Sequence, residues 1–427
     1  MSALRDRRFR RLWVAGLISD TGDWLLLVSL PIVVFRDTGS ALGTAVTFLV
    51  ELAPPVVLAP IAGSIADQSD RRRTLMLVSI AQAVLLMPLL LVHGRGGLPL
   101  IYLVVASQAG LASVFDPTKS ALLPTLVGAD QLVSANSLVG LNQNVGRLIG
   151  GSLGGALLAV GGGLSLIVAG DVTSFLIAAA LIATLSTRAT PPRPHPSATE
   201  AEPAGGWAAT LAAPRVRAGL VVVGIASIAQ GMFLVLFILF VARVLHGDSG
   251  EIGLLRGVQA IGAIAAGMLL AAAVRIRAGA LTAAAALAFG CVSLAVWNAP
   301  HLTAAEPLYV VLFIVVGAPG VALVTGLTST MQQATQEGQR GKVFAAMGVA
   351  MALGEAAGLV VAGGLGNSLP VVDLLDAQGT LYLISGVVAW RWLARHPRSR
   401  RSTPTTTTAA ATMTTSAKPR QRITGRV

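Results

Sequence analysis

Twelve apolar stretches of about 20 residues follow one another along this chain, and its few charges fall almost entirely where one stretch gives way to the next. A helix of that length crosses a hydrocarbon core of ~30 Å. The stretches lie near 12–35, 41–66, 74–93, 98–118, 135–161, 164–186, 217–243, 251–274, 278–299, 306–331, 342–366 and 370–394. Of all residues 54% are hydrophobic and 12% charged, whereas an ordinary globular protein carries about 25% charged residues. Gly and Ala fill the difference, and small residues let helices approach closely in lipid. The chain reads as an all-α membrane protein of twelve transmembrane helices.

The net charge of +12 would suit a nucleic-acid partner, but the basic residues sit at segment ends and tails, where they set orientation. With residue 1 in the cytoplasm, the cytoplasmic segments collect 26 Lys and Arg, Lys119 among them as part of the fourth connection. The outer loops then collect Arg36, Arg95 and Arg243, while Arg147 and Arg256 lie within spans. That asymmetry is expected to place both termini on the cytoplasmic side of the membrane. The basic run Arg5 to Arg11 leads into a long apolar stretch interrupted by Asp20 and Asp23, with no small-residue cleavage site after it. It is expected to be a retained first span rather than a removed signal peptide. Cys291 stands alone within an apolar run and is expected to serve packing.

Pro191, Pro192, Pro194, Pro196 and Pro203 interrupt any helix between spans six and seven. The expected organisation is therefore a cytoplasmic N-terminus at 1–11, a six-helix bundle at 12–186, a cytoplasmic linker at 187–216, a second six-helix bundle at 217–394 and a disordered cytoplasmic tail at 395–427. A short interfacial helix is expected at Trp207 to Leu211. The halves carry a weak internal repeat. Span five reads Gly146-Arg147-Leu148-Ile149-Gly150 and then Gly154-Gly155, and span eleven reads Gly354-Glu355-Ala356-Ala357-Gly358 and then Gly363-Gly364. Parallel six-helix repeats about an axis normal to the membrane are the plan of one large transporter class.

Several motifs, in this order and spacing, resemble the major facilitator superfamily, and within it the bacterial branch of enterobactin exporters and macrolide efflux proteins. The connection between spans two and three, Gly63-x-x-x-Asp67-x-x-x-Arg71-Arg72, resembles the superfamily signature, departing from it at Gln68 and Asp70. Arg7-Arg8-Phe9-Arg10-Arg11-Leu12-Trp13, Ser19-Asp20-Thr21-Gly22-Asp23-Trp24 and Phe115-Asp116-Pro117 are similar to branch motifs. So are Gln332 and Arg340-Gly341-Lys342-Val343-Phe344. Gly150-Gly151-x-x-Gly154-Gly155 resembles the fifth-span antiporter motif with Gly151 where that motif has Pro. The resemblance implies two pseudo-symmetric six-helix bundles. It also implies that Gly63, Asp67, Arg71 and Arg72 form a conformational latch, with Asp67 facing the positive N-terminal end of span eleven.

Asp20, Asp23, Glu51, Arg147, Asp171 and Glu355 lie inside spans, where an ionisable group is costly and a functional role is the default. At 1.5 Å per residue, Asp23 and Arg147 come to similar depths, and spans one and five are neighbours in the implied fold. The expectation is a proton-accepting carboxylate, Asp23 or Asp20, facing Arg147; the other reading is a permanent ion pair. Glu51 and Glu355 are further proton-coupling candidates, Asp171 reads as structural, and Arg256 is expected to snorkel to the outer surface. Gln108, Asn142, Asn144, Gln230 and Gln259 are candidates for the substrate path or for helix–helix hydrogen bonds. Gly146, Gly150, Gly154, Gly354 and Gly358 are expected to be close-packing surfaces between moving halves. No Walker-type loop and no His/Cys cluster occurs in the sequence, so no ATP, cofactor or metal is expected.

These readings point to a monomeric secondary exporter rather than an enzyme. It would be driven by protons, embedded in membrane lipids and act on an amphipathic small molecule such as a drug, macrolide or siderophore. The alternatives are a lipid or lysophospholipid flippase of the same fold, a lipid-modifying membrane enzyme, for which the outer loops are too short, and a non-transporting sensor.

Overall fold

The computed structural model of the protein describes residues 3–92, 94–128, 131–185, 212–272 and 276–394. The helices in chain order are α1 (Arg7–Thr38), α2 (Ala41–Gln68), α3 (Arg71–Leu86), α4 (Leu98–Leu126) and α5, which is Leu132–Gly146 continued by a π-helical turn, Arg147–Gly151, and by Ser152–Ala159. They continue as α6 (Gly163–Ala183), α7 (Pro214–Arg243), α8 (Ser249–Ala272), α9 (Ala278–Asn298), α10 (Glu306–Ala334), α11 (Arg340–Leu365) and α12 (Val371–Ala389). Eleven of the described helices are long and apolar enough to cross a membrane. The remaining predicted span is α5, which the π turn divides into pieces too short to qualify singly.

Helix ends follow from capping chemistry. The Asp6 carboxylate accepts from the backbone N–H groups of Arg8 and Phe9 at the start of α1. Gly39 takes φ +66° just after α1, a left-handed turn that glycine adopts without strain, and Ser40 then caps α2. Gly161 and Gly163, both at positive φ, make the tight α5–α6 turn. Asp70 caps α3 through the N–H of Arg73.

The sequence expected the fourth span to end at 118, but α4 runs through Pro117 and Pro124 to Leu126. Helices in apolar surroundings tolerate such prolines when neighbours pack against them. Lys119 is therefore not part of a solvated connection: it lies within α4 and is buried. Cys291 also departs from expectation, since it lies exposed on α9 rather than packed in the interior. The predicted interfacial helix and the predicted C-terminal tail fall outside the described residues.

The repeated glycines do the same work twice. A Cβ on Gly150 would overlap the carbonyl oxygen of Thr21, so α5 presses directly on α1. A Cβ on Gly358 would overlap the carbonyl oxygen of Ile228, so α11 presses on α7 in the same way. Gly146 meets the Asp20 backbone, Gly154 the Leu25 carbonyl and Gly354 the Gly224 carbonyl. All five predicted glycines thus pack within a half, not between halves. Contact between the halves uses other small residues: Gly155 and Gly151 of α5 against Gly253 and Gly257 of α8, and Gly363 of α11 against Ala45 of α2. The Gly155–Gly253 and Gly363–Ala45 contacts match under the same repeat.

Arg243, at the end of α7, adds a polar bridge there. Its guanidinium donates to the carbonyls of Gly366 (3.1 Å) and Gly39 (3.0 Å) and to Asn367 Oδ1 (2.8 Å), and it sits 5.2 Å from the Phe35 ring. Behind it, Phe233, Phe237 and Phe240 of α7 pack with Trp297 of α9 and with Tyr309 and Phe313 of α10. Edge-on and tilted ring contacts of this kind add about 0.5–1.5 kcal/mol each beyond their burial. Trp297 donates through Nε1 to the buried Gln378 of α12 at 3.0 Å.

A charged cavity between the two halves

Below this packed end lies a cavity of about 540 Å³, walled by α1, α2, α4 and α6 from one half and by α7, α8 and α11 from the other. Much of its wall is apolar, including Trp24, Phe48 and Phe237. Its lining residues include Asp23, Glu51, Glu355, Arg256, Gln108 and Gln230, with Asp171 fully buried in the wall. Charged groups at this depth in a membrane protein mark pathways more often than packing.

Arg256 overturns its expected place. It does not snorkel to a surface but reaches the cavity from α8. Its guanidinium lies 5.0 Å from the Phe233 ring and 6.0 Å from the Trp24 ring, and Nη1 donates weakly to Gln259 Oε1 at 3.4 Å. A count of depth along the helix places Arg256 near an end; it says nothing of which way the face turns, and here the face turns inward.

The expected partnership of Arg147 with Asp23 or Asp20 is not formed. Arg147 opens the π turn of α5, a local rewinding that re-aims side chains. Its guanidinium stacks 5.7 Å from Trp24 and donates to Asn144 Oδ1 at 3.0 Å. Trp24 therefore carries a guanidinium from each half. Asp23 faces the cavity, while Asp20, one turn earlier, turns to α4 and pairs with Lys119 Nζ at 3.9 Å. Lys119 is 8% exposed, lies 3.5 Å from Asp116 Oδ1 and sits over the Phe115 ring. This partner was missed because Lys119 was read as a loop residue. The available signal was the helical i,i+3 spacing of Asp116 and Lys119.

Among the remaining candidates, Gln108 lines the cavity and donates to the Gln82 carbonyl at 2.8 Å, and Gln230 lines it and accepts from the Tyr382 hydroxyl at 3.3 Å. Asn142 and Asn144 do not reach it. Asn142 is buried and donates to the Trp13 carbonyl at 2.9 Å, tying α5 to α1. Gln259 is buried behind Arg256. Asp171, fully buried, accepts from Ser174 Oγ at 3.1 Å and leaves Oδ2 without a hydrogen-bond partner. Of the expected latch, Arg72 donates to the Ala183 carbonyl at the end of α6, and Gly63 has open space beside it. The Asp67 side chain lies outside the described residues.

Two six-helix halves with one packing plan, meeting around a charged central cavity, define a membrane transporter of the major facilitator type. The chain belongs to the transmembrane secretion effector family of that superfamily, which it matches over residues 1–422. It is 31% identical over 160 residues to the multidrug efflux pump Tap of Mycolicibacterium fortuitum, covering 35% of this chain and 39% of Tap. It is 29% identical over 143 residues to the uncharacterized MFS-type transporter YfiS of Bacillus subtilis, covering 33% and 34%. These two matches thus span little more than a third of either relative. The enterobactin exporter EntS of Shigella boydii is 26% identical over 424 residues, covering 93% of this chain and 95% of EntS. In fold, the chain resembles an inward-facing bacterial homologue of the iron transporter ferroportin with a TM-score of 0.68 at 17% identity, covering 90% and 98% of the two chains.

Proposed function

We propose that the protein is a secondary active exporter that moves amphipathic small molecules out of the bacterial cytoplasm in exchange for protons, by alternating access. The observation that carries this reading is the cavity. At about 540 Å³ it falls in the ~300–1,000 Å³ range of small-molecule sites. It is walled by both halves and combines aromatic surface with intramembrane carboxyl groups. A site shared by two halves is what an alternating-access cycle requires, because rocking the halves changes the side from which the site is reached. The carboxyl groups supply places for protons within the same site. The bias of Lys and Arg towards one side supports termini in the cytoplasm, so that the end bridged by Arg243 faces outward. Tap and EntS, both exporters by name, support the direction of transport.

Accumulation of a cationic dye and of a macrolide panel in cells with and without the protein tests the reading. Expression lowers accumulation, and a protonophore restores it. Unchanged accumulation of every compound, together with protein-dependent movement of a labelled lysophospholipid between leaflets, replaces drug export with the flippase reading.

A further inference from the structure

Arg256 is a cation whose hydrogen-bonding capacity is almost unspent. It lines the cavity from α8, and among the described residues no carboxylate pairs with it. A guanidinium carries five N–H donors. Arg256 uses one of them, in the long 3.4 Å contact from Nη1 to Gln259 Oε1. Its Nε and Nη2 have no protein acceptor, and they are not sealed off. The buried polar atoms left without a partner include Arg147 Nε but no atom of Arg256. What holds the group is ring surface: Phe233 of α7 at 5.0 Å and Trp24 of α1 at 6.0 Å. Contact through ring faces grips a guanidinium by its plane and leaves its N–H edge free.

A free, planar N–H edge suits a planar oxyanion, because parallel N–H groups meet both oxygens of a carboxylate at once. Arg147 strengthens the attraction without lining the cavity, since its guanidinium lies 5.7 Å from the same Trp24 ring. On the facing side, Asp23 of α1 and Glu51 of α2 line the wall and repel an oxyanion from it. An acid group in this space therefore points towards α8. Trp24, Phe48 and Phe237 line the same space and cover the apolar body of such a molecule. A neutral amide of the same shape gains the rings and not the charge.

We propose that Arg256, held flat against Phe233 and Trp24, is an anchor for the oxyanion group of an acidic amphiphile: a carboxylate or a group of the same planar geometry. This rests on the export reading and adds a chemical group to its substrates. Phe233 is a positioning residue for the anchor, since it fixes the plane of the guanidinium. Trp24 belongs to one half and Arg256 to the other, so the anchor is complete only while α1 and α8 stand as they do here. Rocking that parts these helices takes one ring from the guanidinium, lets it turn and loosens the acid.

The test uses the purified full chain in nanodiscs of uncharged-headgroup or zwitterionic lipid at neutral pH, with 2-naphthoate as the acid and 2-naphthamide as its neutral counterpart. The wild-type protein binds the acid about tenfold or more tightly than the amide. Arg256→Gln removes that preference. Arg256→Lys keeps the charge without the planar fork and recovers only part of it. A measurement on the wild-type chain stands even if the variants fail to fold: 2-naphthoate, and not 2-naphthamide, shields Arg256 from modification by butanedione, read by peptide mass spectrometry. Equal binding of acid and amide, an undiminished acid preference in well-folded Arg256→Gln, or acid binding that leaves Arg256 open to butanedione overturns the proposal. Acid binding at Arg256 without efflux of any compound from proteoliposomes sinks the export reading and leaves the anchor standing. Efflux of a cationic dye by a protein that binds acid and amide equally does the reverse.

Discussion

The two halves of this protein share a skeleton and not a chemistry. The register that places Gly150 of α5 on Thr21 also places Gly358 of α11 on Ile228. In that register Asp23 of α1 corresponds to Gln230 of α7, and Arg147 to Glu355. Glu51 of α2 corresponds to Gln259 of α8. The first half has gathered Asp20, Asp23, Glu51, Asp116, Lys119, Arg147 and Asp171, whereas the second packs a cluster of six aromatic rings, with Arg256 against the Phe233 ring, and brings Arg256 and Glu355 to the cavity. Repeated backbone contacts depend on glycine because nothing larger fits between the helices. Side chains facing a cavity are under no such restriction and are free to diverge. The comparison teaches that the repeat preserves how helices meet, while the charged side chains are unequally divided.

The largest expected effect breaks or confirms that division. Asp23→Asn removes a titratable group from the cavity wall of the first half. If Asp23 carries protons as the export reading allows, uphill efflux of a cationic dye from proteoliposomes with an imposed pH gradient is lost, while counterflow down the substrate gradient remains. The matching change in the second half, Gln230→Ala, leaves uphill efflux in place. If Gln230→Ala is as damaging as Asp23→Asn, the halves share the coupling chemistry after all.

Next in size is Lys119→Met. It strips the cation from a buried site and leaves the largely buried Asp20 without its partner, while Asp116 stays open to solvent. Removing one member of a buried pair costs about 3–5 kcal/mol, because the remaining charge is uncompensated. Thermal unfolding in detergent shows this as a large fall in midpoint, largely reversed in Lys119→Met combined with Asp20→Asn. A midpoint within error of wild type places the Lys119 ammonium in solvent.

How much of this was legible in the sequence follows the same line between skeleton and side chain. Helix positions were readable because apolar length against a membrane leaves few alternatives. The glycine repeat was readable as well, but which neighbour each glycine meets was not, since small residues serve contacts within and between halves equally. Placement at the cavity was readable in part: Asp23, Glu51 and Glu355, singled out for proton coupling, and Gln108 and Gln230, singled out for the substrate path, line it, while Asn142, Asn144 and Gln259 do not. It failed for Arg256, because distance from a span edge measures depth and not facing. It failed for Arg147 because the π turn shifts the register of α5 where that residue lies. Lys119 was hidden by Pro117, which made the end of α4 read as a turn.

A smaller effect tests whether the skeleton is as symmetric as it looks. Gly150→Ala and Gly358→Ala each force a methyl group into a carbonyl oxygen of the facing helix. Overpacking of this kind costs about 1–3 kcal/mol, and the two substitutions lower the unfolding midpoint by similar amounts. A large difference between them shows that one half yields more readily, and that the repeat is geometric without being mechanical.

The smallest effect concerns a pair the repeat copied and the structure uses once. Arg36 at the end of α1 corresponds to Arg243 at the end of α7. Arg36 pairs with its neighbour Asp37 at 3.7 Å and is more than half exposed, and so open an ion pair contributes little. Arg243 instead reaches across, joining Gly39 of the first half to Gly366 and Asn367 of the second. Asn367 Oδ1 also accepts from the N–H of Ala41 at 3.4 Å, so the same group fastens both partners. Arg243→Gln removes the charged donor. The halves part at this end more often by about 1–2 kcal/mol, a roughly five- to thirtyfold change in population. Amide hydrogen exchange reads it directly, because the α1–α2 turn exchanges from the parted state. Exchange at 39–44 rises in Arg243→Gln and not in Arg36→Gln. If it rises in neither, the glycine contacts between α5 and α8 and between α2 and α11 hold this end closed without help. The closed end is then as symmetric as the helices that form it.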